Sequence, residues 1–295
     1  MPVPSSTPQL SYVAVSPDMR ELVHTLFVMQ SDDSEVESVM PAYSAQLFSF
    51  VHGSGEIRFP DREPGSSTDF TLNAPMLQAA PMRLEGPVLN VGASFTPTGW
   101  AIFSGLDASQ THDTSFDADR VVATPTFAPV RVALERCRKG EISPEDYARA
   151  IEEMIRTVCS TAPCELRDEH RALLAAIEVW LESAFNPPLA QLYDSVEIGE
   201  RQVQRLCRRF YGVPPAQLLK RYRAIRAGML MAHGDLSPEL RDEVLAAYFD
   251  QAHLIRDLRR YTGRTPTALS EELLAKDMLD PDGHGQSGRR MRTPR

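Results

Sequence analysis

Residues 200–210 hold the most restrictive pattern in the chain. Val203, Leu206, Cys207 and Phe210 fall at i, i+3, i+4 and i+7, a spacing that an α-helix gathers onto one face. That face must pack on a core. The opposite side then carries Arg201, Gln204, Arg205 and Arg208. Leu189–Tyr193 reads as a short helix ahead of it, and Ser195-Val196-Glu197-Ile198-Gly199 breaks that helix. Gly212-Val213-Pro214-Pro215 ends the second one, with Gly at the C-cap and Pro beyond. A short helix, a tight turn and a basic second helix make the helix-turn-helix layout.

The construction recurs. A long helix is predicted from Pro215 to Met231, with Leu218, Tyr222, Ile225 and Met229 on one face and Lys220, Arg221, Arg223 and Arg226 mostly elsewhere. A second short helix, Pro238 to Ala247, meets a turn at Tyr248-Phe249. Asp250 is a good N-cap for a helix over 251–261. Leu254, Leu258 and Tyr261 form its core stripe, and Gln251, Arg256, Arg259 and Arg260 face outward. Gly263, then Pro266, closes it. The connector between the two motifs spans about 25 Å at 1.5 Å per residue. Two recognition helices so joined reach successive major-groove faces about one DNA turn apart.

Arg and Gln carry the donors and acceptors that read guanine and adenine edges. Arg201, Gln204, Arg205, Gln251 and Arg256 are therefore the candidate base readers. Arg208, Arg209, Arg259 and Arg260 suit phosphates, contacts that position a protein without reading sequence. His253 is read as a packing or capping residue.

The formal net charge of −9 argues at first against a nucleic-acid partner. Its distribution reverses that. Residues 1–164 carry 11 Lys and Arg against 21 Asp and Glu, whereas residues 199–264 carry 13 against 7. A local basic zone is the electrostatic footprint that DNA binding needs.

The front of the chain has a different texture. Residues 1–10 are rich in Pro, Ser and Thr and read as a loose tail. From 11 to 105, short β-branched and aromatic segments (Leu22–Met29, Ala45–Val51, Gly55–Phe59, Val88–Phe95 and Trp100–Phe103) are punctuated by Gly, Pro, Asn and Asp. They predict a β-rich, barrel-like or sandwich domain over 11–130. Gly53-Ser54-Gly55 reads as a turn. It lacks the GxSxG of a hydrolase elbow, and no lysine or helix follows to make a phosphate loop.

From about 130 the period becomes helical. Ser143-Pro144-Glu145-Asp146 starts a helix carrying Tyr147, Ile151, Met154, Ile155 and Val158. This connector, 131–164, either pairs with a second subunit or packs on the β-domain. A further helix over about 165–185 carries Leu166, His170, Leu173, Leu174, Ile177, Trp180 and Leu181 on one side. A helical domain is expected over 165–275, and the stretch 276–295 lacks apolar patterning and reads as disordered.

The run from Phe249 through Asp250, Gln251 and Leu254 to Gly263 and Pro266 resembles the C-terminal signature of AraC/XylS-type transcriptional regulators. Residues 200–206, with the exit Gly212-Val213-Pro214-Pro215, resemble that family's first recognition helix. The resemblance covers about 166–270. It implies a seven-helix DNA-binding domain, with Arg201, Gln204 and Arg205 at the base-contacting positions of the first motif and Gln251 and Arg256 at those of the second. The chain departs from the family at Gly199, where a Ser N-cap is usual, at Glu243, where a small residue is usual, and at Ala247-Tyr248, where Gly-Phe is usual. Those departures suggest that the second motif docks less deeply. Val91–Pro97 and the segment around Trp100–Phe103 more loosely resemble the β-rich sensor domains fused to some members.

Four cysteines (Cys137, Cys159, Cys164 and Cys207) form no CxxC pair and read as reduced, mostly buried thiols. His24, His52 and His112 lack an HxH pair with a nearby Glu, so no metal is expected. Trp100 and Phe103 are read as barrel core rather than pocket lining. No run approaches the roughly 20 apolar residues that span a bilayer, and the start MPVPSSTPQL does not read as a signal peptide. The expectation is an α+β chain, a barrel-like sensor or dimerisation domain followed by an all-α, homeodomain-like double helix-turn-helix. Its function is that of a cytoplasmic, DNA-binding transcription regulator, activator or repressor, with no catalytic residues and no cofactor. Double-stranded DNA is the expected partner, with a small-molecule effector, RNA polymerase and a second copy of the chain as further candidates. The alternative is a β-barrel small-molecule binder or enzyme with a regulatory helical tail, which needs clustered ligands or an acid–base pair in 11–125.

Overall fold

A computed structural model describes residues 8–60, 62–122, 124–161, 166–233, 238–271 and 278. The N-terminal half is built on one antiparallel sheet. Its strands are β1 (Gln9–Val13), β2 (Val23–Ser31), β3 (Glu35–Met40), β4 (Gln46–Ile57), β5 (Gly65–Ser66), β6 (Thr71–Asn73), β7 (Ala80–Phe95) and β8 (Ser115–Asp117). The path runs β1-β2-β7-β4-β6-β8, with β3 on the first half of β7 and β5 on the end of β4. The sheet is open rather than a closed barrel, since β1 and β8 end the path.

Side chains alternate across the pleat. Leu26, Val28, Leu47, Val91 and Ala93 point to one face and join a core with α4 (Ala128–Arg138) and α5 (Pro144–Thr161). Of the two placements open for 131–164, the structure shows packing on the sheet. The Tyr147 hydroxyl lies 2.6 Å from that of Ser49, and Glu152, only 2% exposed, accepts from the backbone N–H and hydroxyl of Ser16. Ser143 caps α5 by accepting from the Asp146 N–H at 3.0 Å.

The other face lines a cavity of about 80 Å³, on a measure by which one water needs about 10–15 Å³. Three rungs of the ladder floor it. Thr25, Ser94, Gln46 and Asn73 form a polar rung across β2, β7, β4 and β6. Phe27, Gly92 and Phe48 form the next, and a Cβ on Gly92 would lie 2.4 Å from the Phe27 ring. Glycine there lets the two rings meet edge to face over β7, centroids 5.5 Å apart. Met29, Asn90 and Phe50 form the third.

Three local expectations change. Trp100–Phe103 is not a strand but part of α1 (Pro97–Ser104). Thr96 caps it by accepting from the Gly99 N–H, Pro97 sits at its first position, and Gly105 ends it at φ 66°. Trp100 and Phe103 are core, as expected, but from a helix. Gly53-Ser54-Gly55 is no turn. It lies inside β4, where register shifts and a Gly53 φ of 75° mark irregular pairing with β7. Gln9 and Leu10 belong to β1, so order begins before residue 11. Short helices α2 (Ala108–Thr111) and α3 (Ala118–Val121) complete this half.

The C-terminal half is helical: α6 (Asp168–Glu182), α7 (Leu189–Asp194), α8 (Glu200–Tyr211), α9 (Pro215–His233), α10 (Pro238–Ala246), α11 (Gln251–Thr262) and α12 (Pro266–Glu271). The seven residues expected on the buried side of α6 are all buried. Met278, in the stretch read as a tail, is 4% exposed against the N-terminal sheet and lines its cavity, and the rest of 276–295 lies outside the described residues. No described helix is long and apolar enough to cross a membrane.

Candidate nucleic-acid interface

The first motif is α7, a turn and α8. Val203, Leu206, Cys207 and Phe210 are buried with Leu192 and residues of α6, so the stripe read from the sequence is the packing face. Arg201, Arg205 and Arg208 stand exposed on the other side. Gln204 is half-buried, and its amide lies 3.5 Å from the Tyr193 hydroxyl. Arg209 is also half-buried. Its guanidinium lies 5.7 Å from the Phe210 ring, and with burial its charge helps to lower the pKa of His170. The helix starts on Gly199 with no side-chain cap and ends on Gly212 at φ 81°.

The second motif is α10, a turn and α11. Leu254, Leu258 and Tyr261 are buried, while Gln251, Arg256, Arg259 and Arg260 are exposed. Asp250 caps α11 by accepting from the His253 N–H at 2.6 Å. His253 has the packing role expected of it, its ring edge-on to Tyr248 at 5.3 Å. Glu243 faces solvent, so its departure from the usual small residue buries no charge. Phe249, at the turn, is 93% exposed.

The connector α9 buries arginines as well as its apolar stripe. Arg221, Arg223 and Arg226, placed mostly off that stripe by the sequence, are buried. Arg223 donates to the Ala247 carbonyl at 2.9 Å and lies 3.4 Å from the Asp257 carboxylate, its guanidinium 4.3 Å from the centre of the Tyr248 ring. Arg226 donates to the Ala184 carbonyl at 3.3 Å. Arg221 donates to the Met76 carbonyl at 3.0 Å, and burial lowers its pKa. Helix α9 is covered by both motifs and by the sheet domain, so its arginines satisfy backbone carbonyls instead of water.

Segment 74–79, between β6 and β7, is the junction. The Ala79 N–H donates to the Arg260 carbonyl at 2.8 Å. Leu77 sits where a Cβ on Gly212 would meet it at 3.0 Å. From the β3–β4 loop, the Ala42 N–H donates to the Tyr261 carbonyl at 2.8 Å. Arg264, 4% exposed, donates to the Val39 carbonyl at 2.8 Å and the Ser38 hydroxyl at 2.9 Å. The C-terminal ends of both recognition helices thus rest on the N-terminal domain, and their arginine faces stay exposed. The sequence offered no signal for this junction, because most of its donors and acceptors are backbone groups of segments far apart in the chain.

Burial pushes the Cys159 and Cys207 thiols up to about 12, so both are protonated at neutral pH and poor nucleophiles. Cys164 lies outside the described residues.

Two helix-turn-helix units on one shared helix, with exposed arginines on the second helix of each, define a double helix-turn-helix DNA-binding domain. Residues 192–272 match the helix-turn-helix domain family. The C-terminal domain is of the AraC/XylS regulator type. No curated protein matches the chain. Among solved structures, the chain is similar to ToxT from Vibrio cholerae O395, at 10% identity over 91% of this chain and 98% of that one, TM-score 0.46. Unsaturated fatty acid bound ToxT from strain SCE256 matches at 8% identity over 92% and 98%, TM-score 0.46. The AraC-like transcriptional activator CuxR matches at 13% over 82% and 81%, TM-score 0.33.

Proposed function

We propose that the chain is a sequence-specific transcription regulator whose C-terminal domain reads DNA and whose N-terminal domain senses a small effector. Arg201, Gln204 and Arg205 read bases in the first half-site, and Gln251 and Arg256 in the second. Arg208, Arg209, Arg259 and Arg260 hold phosphates. The observation that carries the sensing role is the junction. Met40 and Tyr43 line the cavity, and between them Ala42 bonds to the end of α11. An effector with different affinity for two arrangements of that loop shifts the placement of the recognition helices. Regulation of transcription in the cytoplasm is part of this reading, with RNA polymerase and a second copy of the chain as further partners.

Selection of bound duplexes from a random-sequence pool tests the DNA-reading half. The expected result is a consensus with two half-sites about one turn apart. Recovery of no preferred sequence contradicts it.

A further inference from the structure

We propose that the cavity takes an uncharged, mostly apolar small molecule whose head sets a hydrogen-bond donor beside an acceptor, such as an amide or lactam, and that Asn90 holds that head. The inference rests on the sensing role above and names the class of ligand.

Asn90 is fully buried, at 0% exposure, and lines the cavity. Among the described residues, neither its Nδ2 nor its Oδ1 has a hydrogen-bond partner. Most buried polar side-chain atoms in proteins are paired, and each one left unpaired destabilises the fold. An asparagine kept at such a cost in mid-strand, between Met29 and Phe50 on the neighbouring strands, is poorly explained by stability. Its two open atoms are one donor and one acceptor, side by side in a plane. A cis-amide or lactam presents the matching pair.

The rest of the cavity sets the body and the charge. The Phe27–Phe48 pair lies one rung from Asn90 and offers a flat apolar bed. On the polar rung beyond it, Gln46 donates to the Ser94 hydroxyl at 3.2 Å, which leaves its own Oε1 unpartnered as a second acceptor. Among the described residues that line it, none is Lys, Arg or His. The charged one, Glu56, is paired with Arg58 at 2.7 Å. A carboxylate or phosphate ligand would meet no cation among the described lining residues and would lie beside an acid, at a cost that a neutral head does not meet.

The test uses the full chain with 2-quinolone, a neutral bicyclic lactam, and 2-naphthoate, a carboxylate of similar size. Binding is measured by calorimetry, and unfolding of the ligand-free protein by thermal melting. Wild type is expected to bind 2-quinolone and not 2-naphthoate, and Asn90→Leu to weaken 2-quinolone about tenfold or more. The same variant is expected to melt higher than wild type without ligand, because it replaces an unpaired polar group by an apolar one of similar size. No binding of 2-quinolone, equal binding by Asn90→Leu, equal binding of 2-naphthoate, or a lower melting point for the variant overturns the assignment. DNA affinity measured alongside separates the two claims. If 2-quinolone binds through Asn90 and leaves DNA affinity unchanged, the ligand class stands and the sensing role fails. If 2-naphthoate binds and changes DNA affinity, sensing stands and the ligand class fails.

Discussion

The two helix-turn-helix motifs share a layout but are held together differently. The first rests on an apolar core of α6, α7, α8 and α1, in which Trp180 and Phe210 are almost fully buried. Its turn tucks Val196 and Ile198 against that core. The second also has an apolar core, with Leu254, Leu258 and Tyr261, but sets a buried polar bracket beside it, Arg223 with Asp257 and the Ala247 carbonyl, and leaves Phe249 of its turn in solvent. Apolar packing tolerates small shifts, whereas a buried ion pair loses most of its worth when one partner is removed. The first motif is therefore the fixed reader, and the second adds to its apolar core a bracket that turns on one residue of the connector. At the helix starts the order reverses, since Asp250 caps α11 and Gly199 gives α8 no side-chain cap.

The largest expected effect breaks the second motif alone. Arg223→Ala leaves the Asp257 carboxylate, 13% exposed, with the His253 ring at 3.4 Å in place of a guanidinium, and should cost up to about 3–5 kcal/mol of local stability. Hydrogen exchange should show α11 amides opening while those of α8 keep their protection. Equal loss in both helices would mean that the motifs unfold as one unit. Next, Arg201→Ala or Arg205→Ala should each weaken specific DNA binding by about 1–3 kcal/mol at fixed salt, measured by titration on a selected duplex. Asp250→Ala should lower the stability of α11 by about 1 kcal/mol, read from the exchange of its first-turn amides. The smallest effect sharpens the contrast: Gly199→Ser should gain a few tenths of a kcal/mol in α8. Gly199 has open space for a side chain and a φ of −67°, so no clash opposes the change.

The recognition helices were legible because each has one wet face and one dry one. The observed α8 and α11 match the expected spans within a residue or two. Helix α1 was not legible. Thr98–Phe103 is buried all round, so no helical period shows, and aromatic residues suggested a strand. The Thr96-Pro97 start, a cap followed by proline, was the signal that could have found it. The burial of the α9 arginines was not legible for a related reason. Arginine in a helix reads as solvent-facing unless the partner surface is known, and here that surface includes segment 74–79. The cavity escaped notice because both faces of β2 and β7 carry apolar side chains, so alternation could not tell the core face from the ligand face. Asn90 stood inside a segment read only as a strand.

The measurement that bears most directly on the central claim is a footprint at base resolution. A selected duplex is probed with wild type, Arg205→Ala and Arg223→Ala at one salt concentration. Wild type should protect two stretches on one DNA face, about one turn apart. Arg205→Ala should lose the first base contacts, and Arg223→Ala should lose the second stretch while keeping the first. A single protected stretch, or a footprint unchanged in both variants, would contradict a double reader with a fixed first motif and a bracketed second.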